Sequence, residues 1–138
     1  MLYIYIVVLI TIIASIFCFL IANRIMEKYL EEDPMLAELR NRLMPVFPEM
    51  NKVILLKGKK SYTINKKRIH LCLTDKSGKY YDINMLTYVT LHELAHVMCN
   101  EIGHTEKFHK IFKEILEKAA KHHVYDPNKS ITKDYCNY

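Results

Sequence analysis

The stretch Leu91–His109, "LHELAHVMCNEIGHTEKFH", decides how the rest of the chain is read. His92 and His96 are four positions apart. On a helix that spacing puts both imidazoles on one face, one turn apart, within reach of a single ion. Glu93 follows the first histidine directly, so its carboxylate points beside such an ion, where it can hold a water without ligating. The surrounding period is helical. Met85, Val89, His92, His96 and Cys99 fall on one face, and Leu91, Leu94, Ala95 and Met98 supply a second apolar side. A helix apolar on two sides belongs in the middle of a domain. Two histidines and a glutamate there are costly without a partner, and a metal supplies one. The bland reading of the same residues is a pair of core-edge histidines bonded to backbone, with Glu93 exposed.

A third ligand must come from beyond the helix. Gly103 is the expected stop, and His104 stands just after it. A further helix is predicted over residues 105–121, buried along Phe108, Ile111, Phe112, Ile115, Leu116 and Ala119. His104 is the expected third ligand, with His109, Glu106 and Glu101 as the other candidates. Glu101 lies five positions after His96, about 140° around a helix, and points away unless the helix has ended. His70, His122 and His123 read as surface or supporting residues. Three protein ligands and an open fourth position are what metal-assisted hydrolysis requires. One Zn2+ at His92, His96 and His104 would acidify a water, and Glu93 would take its proton.

Working outward, the fold class expected is α+β. "EEDPMLAELRNRLM" (31–44) reads as a front helix, with Asp33 as cap, Pro34 in the first turn and Leu36, Leu39 and Leu43 as its buried stripe. Pro45 and Pro48 follow it. "KVILL" (52–56), "SYTI" (61–64) and "RIHLCLT" (68–74) read as strands of a small, mainly antiparallel sheet, with "YYDI" (80–83) as a further short strand. The polar tail, 126–138, is expected to wrap irregularly or to be partly free.

The chain has 138 residues, room for one domain. Residues 1–22 carry no charged side chain and are long enough to cross a bilayer core. No basic residue precedes the run and no clear small-residue cleavage site follows, so a transmembrane anchor is expected over a cleaved signal or a buried core helix. The resulting division is an anchor at 1–22, a catalytic domain at 23–125 and a tail at 126–138. Arg24 and Lys28 follow the anchor, which favours a cytoplasmic domain; the acidic run Glu31-Glu32-Asp33 counts little in that rule. Cys18, Cys72, Cys99 and Cys136 form no motif and suit a reduced compartment. Lys57, Lys59, Lys60, Lys66, Lys67 and Arg68 cluster around the predicted strands. With no aromatic or glycine-rich motif between them, a solvated hairpin is favoured over a nucleic-acid or anionic-lipid face.

"LTYVTLHELAHVMCNEIGHTEKFHKIF" (86–112) resembles the WLM/SprT-like zinc metallopeptidases. The matching pieces are His92-Glu93-Leu94-Ala95-His96, the Gly103-His104 step and Phe108 four residues on. "RIHLCLTDKSGKYYDINMLTYV" (68–89) is similar to the strand and turn that lead into that family's active-site helix. The likeness covers about residues 68–118, and 34–67 more loosely. It implies a minimal zincin: front helix, small sheet, HExxH helix and third-ligand helix. It also implies peptide-bond cleavage of a protein or peptide substrate, with His92, His96 and His104 as ligands and Glu93 as base. The chain lacks the DNA- or ubiquitin-linked binding segments of well-known relatives and shows no Met-turn, so the chemistry carries over and the DNA-repair role does not. The oxyanion-stabilising group is unassigned, with His109, His70 and Tyr88 as candidates. Two readings from other classes stand beside this one: a zinc-stabilised membrane adaptor that cleaves nothing, and a basic-face domain binding nucleic acid or anionic lipid.

Overall fold

The computed structural model describes residues 1–30 and 33–137, with side chains described for 1–26 and 33–137. Glu31 and Glu32, and the side chain of Lys28, lie outside this description. The chain divides into two compact units, Met1–Leu30 and Glu31–Tyr138.

The first unit is one helix, α1 (Leu2–Leu30), which runs past the expected end of the apolar segment at Ala22. Leu2–Met26 is long and apolar enough to cross a membrane, with a mean hydropathy of 3.0 over its most apolar window. At 1.5 Å per residue it is about 37 Å long, enough to cross a bilayer core of about 30 Å. Its apolar side chains are exposed within the unit. Thr11 and Ser15 donate their hydroxyls to Val8 O and Thr11 O, so both hydroxyls are satisfied inside the helix itself.

The second unit is α+β. Asp33 caps α2 (Pro34–Leu43) by accepting from the Met35 amide at 3.0 Å. Leu36, Leu39 and Leu43 are buried on its inner face. The Arg40 guanidinium donates to Met50 O at 2.7 Å and Val53 O at 2.8 Å, tying α2 to a 3-10 turn at Pro48–Lys52. Three short strands follow: β1 (Ile54–Lys57), β2 (Tyr62–Ile64) and β3 (Arg68–Leu71).

Their order is β1-β3-β2, with β1 parallel and β2 antiparallel to β3. The expected mainly antiparallel sheet is therefore mixed. The reason is a passage of four residues, 58–61, that carries the chain across the end of β3 to the far edge. Gly58 makes the passage. Its amide donates to Leu71 O at 2.9 Å, and a Cβ there would lie 2.9 Å from Lys60 O and 3.2 Å from His70 Cβ. The chain then returns through a tight hairpin. Asn65 and Lys66 both hold φ of 51° and the Lys67 amide donates to Ile64 O, the left-handed turn that matches strand twist. β2 is left as an edge strand.

The expected strand at 80–83 is reduced to one bridge between Thr74 and Tyr80. Asp75 accepts from the Ser77 and Lys79 amides and closes a turn there, so no chain is left for a ladder. Asp82 then caps α3 (Ile83–Met98), and Thr105 caps α4 (Glu106–Lys121). α3 is buried on most of its surface and packs on α2, α4, β2 and β3. It stops at Met98, before Gly103, because Cys99 turns extended and the Lys66 ammonium takes its carbonyl.

The tail is irregular, yet it is held. Buried Asn84 exchanges two hydrogen bonds with the Asp126 backbone. Tyr135 packs on Tyr81, with ring centroids 4.9 Å apart. Cys136 forms a disulfide with Cys72. This corrects the expectation that the cysteines do not pair: a separation of 64 residues leaves no local motif in the sequence.

Candidate metal centre

α3 presents His92 and His96 one turn apart, with their rings 5.1 Å apart at 76°. Beyond Cys99 the chain reverses over residues 100–104. Gly103 holds φ of +82°, a conformation that favours glycine. The reversal brings His104 back over the helix. Its Nε2 lies 3.0 Å from Nε2 of His92 and 3.2 Å from Nε2 of His96. One ligand atom from each of the three lies within 4.8 Å of the others, close enough to hold one metal ion. A tetrahedral ion with bonds of 2.0–2.1 Å separates its ligand atoms by about 3.3 Å. The two spacings to His104 are within a few tenths of that, and all three nitrogens lie close enough to hold such an ion. Among the described residues no other group of histidine, cysteine and carboxylate side chains converges in this way.

The imidazoles rest on α4. Phe108, fully buried, stacks on His96 at 4.3 Å and meets His92 and His104 edge-on at 5.1 and 4.9 Å. Burial first, and then the neighbouring imidazoles, lower the His92 pKa to about 4. Burial also lowers that of His96, assisted by His104 and by the Lys66 ammonium. Neutral imidazoles at physiological pH are the form that binds a metal.

Glu93 sits beside the histidines and is only 5% exposed, which excludes the reading in which it faces solvent. Thr63 Oγ1 lies 2.8 Å from its Oε2 and 3.1 Å from its main-chain carbonyl, so the hydroxyl donates to one or shares its proton between them. Burial pushes the carboxyl pKa up, and the Thr63 bond partly opposes this. A raised carboxyl suits a group that accepts and returns a proton.

These residues line a cleft of about 630 Å³ between β2 and the loop that carries His104, with Ser61, Lys66 and Ile102 on its rim. A broader, shallower depression of about 790 Å³ lies along α4 between Glu106 and Lys113. It holds no converging donors.

The other candidates are placed elsewhere. Glu101 lines the cleft but accepts from Thr105. Glu106 is in the first turn of α4, in the shallow depression. His109 is exposed, its ring 6.3 Å from that of His104. His70 stacks flat on Tyr62 at 4.5 Å. Tyr88 packs on Phe112 and Tyr125. His122 and His123 are exposed at the end of α4.

Three residues near the site carried no sequence signal. Thr63 is the middle residue of a three-residue strand. Lys66 lay within a lysine cluster. Tyr135, in the tail, donates its hydroxyl to Cys72 O and lies 2.7 Å from Ser61 Oγ on the cleft rim. Burial above all pushes its phenol up to about 12.

No protein-family model matches the chain, and no solved structure matches it. Three viral proteins are similar in sequence. Uncharacterized protein 136R of Invertebrate iridescent virus 6 is 52% identical over 90 residues, covering 63% of this chain and 51% of its own length. Uncharacterized protein 042R of Invertebrate iridescent virus 3 is 48% identical over 88 residues, covering 63% and 55%. Uncharacterized protein R325 of Acanthamoeba polyphaga mimivirus is 49% identical over 67 residues, covering 47% and 34%. The chain thus spans about half the length of the first two of these relatives and about a third of the other.

Proposed function

We propose that the chain is a membrane-anchored zinc metallopeptidase of the WLM/SprT-like kind. The observation that carries this reading is the convergence of the His92, His96 and His104 nitrogens beside a buried, hydrogen-bonded Glu93. A zinc ion held by the three imidazoles supplies Lewis acidity, polarising a carbonyl and acidifying water. Phe108 and the body of α4 keep the imidazoles aimed. Glu93 takes the proton of the attacking water and delivers it to the leaving amine. The substrate lies extended along the open edge of β2, pairing its backbone as an added strand. That edge forms one wall of the cleft.

α1 serves as the anchor. Two signals on sidedness oppose each other. Arg24 and Lys28, just behind the apolar run, favour a cytoplasmic domain. The Cys72–Cys136 bond favours an oxidising compartment. Two basic residues are a weak bias, and a disulfide persists where thiols are not kept reduced, so we assign the domain to the oxidising side.

The deciding experiment is Glu93→Gln. The variant should keep its zinc by elemental analysis and its fold by near-UV circular dichroism, and lose cleavage of a peptide library by about a hundredfold or more. Cleavage retained in the variant, or absent from the zinc-loaded wild type, would sink the peptidase reading. In the second case the zinc-stabilised adaptor takes its place.

A further inference from the structure

We propose that the segment received by this cleft is acidic, its carboxylates met by Lys66 and by Lys59, Lys60 and Lys67 at the two ends of β2. The proposal rests on the reading of the cleft as a seat for an extended chain. β2 is an edge strand of the sheet, and the residues at both its ends, Ser61 and Asn65-Lys66, line the cleft. Lys59 and Lys60 immediately precede Ser61, Lys67 immediately follows Lys66, and all four lysines are exposed. Lys57 is excluded from the set because it pairs with Asp33 at 3.5 Å. Lys59, Lys60 and Lys67 have no carboxylate partner among the described residues.

Two carboxylates line the cleft, Glu93, buried and bonded by Thr63, and Glu101, which accepts from the Thr105 hydroxyl and keeps its charge; the four lysines outnumber them. Lys66 is the most telling of the four. It holds the left-handed φ of 51° at the second turn position, where glycine is the ordinary choice. A long cation stands instead on the cleft rim. One of its three donors is used by Cys99 O. An extended segment rises about 3.3 Å per residue, so about six residues reach from the Lys60 end of β2 to the hairpin that carries Lys66 and Lys67. Exposed charges at that spacing reject a basic segment as well as attract an acidic one.

The test uses the full-length Glu93→Gln protein, zinc-loaded in phosphatidylcholine nanodiscs, with fluorescence anisotropy. The probes are a labelled peptide of about six residues with Asp at both ends, the same peptide with Asn, and a short DNA duplex. The Asp-ended peptide is expected to bind about tenfold more tightly than the Asn-ended one at low salt. That gap should close at high salt and in the triple variant Lys59→Ser, Lys60→Ser, Lys67→Ser with zinc content unchanged. Equal binding of the two peptides, no binding of either, discrimination that survives the triple variant, or displacement of the Asp-ended peptide by the duplex overturns the proposal. The peptidase reading fails separately. If the zinc-loaded wild type discriminates between the peptides but cleaves none, the acidic docking surface stands without the enzyme. Cleavage with no preference for acidic flanks leaves the enzyme and removes this proposal.

Discussion

Phe108→Ala tests whether the packed ring and the metal site are one device. Phe108 is fully buried and touches all three imidazoles, with centroid separations from 4.3 to 5.1 Å. Removing a buried phenylalanine ring costs about 3–5 kcal/mol. A large share of the stability of a domain this size is lost, so the milder Phe108→Leu serves as companion. The metal reading adds a second, separable effect. Groups that orient ligands are worth about 10- to 100-fold in affinity. With free zinc buffered at about a thousand times the wild-type dissociation constant, binding stabilises the fold by about 4 kcal/mol. A hundredfold weaker site gains only about 1.4 kcal/mol from the same buffer. The assay is urea unfolding of the full chain in detergent micelles, followed by tyrosine fluorescence, with zinc buffer and with chelator. The zinc-dependent shift should shrink by up to about 2.7 kcal/mol in the leucine variant while its chelated form still unfolds cooperatively. An undiminished shift would show that the imidazoles need no support from the ring. No shift in the wild type would remove the metal site itself.

Three further outcomes are expected. Thr63→Val should lower kcat about 10- to 100-fold with KM and zinc content unchanged, while Thr63→Ser, which keeps the hydroxyl on Glu93, stays near wild type; equal loss in both would make Thr63 a packing residue only. Cys136→Ser, or reductant on the wild type, should cost about 4 kcal/mol in urea unfolding, given a bond that closes a loop of 64 residues. Without reductant the denatured wild type should offer two alkylatable thiols, those of Cys18 and Cys99; four would show that no bond forms. The metal-free protein should lose stability as pH falls from about 6.5 towards about 4. His92 is depressed to about 4 in the fold, so across that window the unfolded chain binds a proton that the folded chain refuses. Glu93, raised, works the other way, so the measurement belongs in Glu93→Gln with chelator present. A urea midpoint that does not move across the window would contradict the buried-imidazole account.

What could be read from the residues in order was whatever depends on spacing along one element. The i,i+4 pair His92 and His96, the cap Asp33, and the buried stripes of α2 and α4 follow from helical geometry and from which side chains bond a helix N-terminus. The apolar length of α1 needs only a count. What tertiary structure alone decided rests on contacts between residues far apart in sequence. His104, and not His109, Glu106 or Glu101, completes the triad because the helix stops at Met98, and Lys66, 33 residues upstream of Cys99, takes the carbonyl at that stop. Glu93 is buried because Thr63, on a strand too short to show a period, reaches it across the cleft. The parallel pairing of β1 with β3 depends on a crossing that only Gly58 fits, and Cys72 meets Cys136 where Asn84 and Tyr135 also hold the tail against the domain. Periodicity records which face of an element is apolar. It carries no record of which distant residue will meet that face, and the third ligand, the partner of Glu93 and the disulfide were all decided by such meetings.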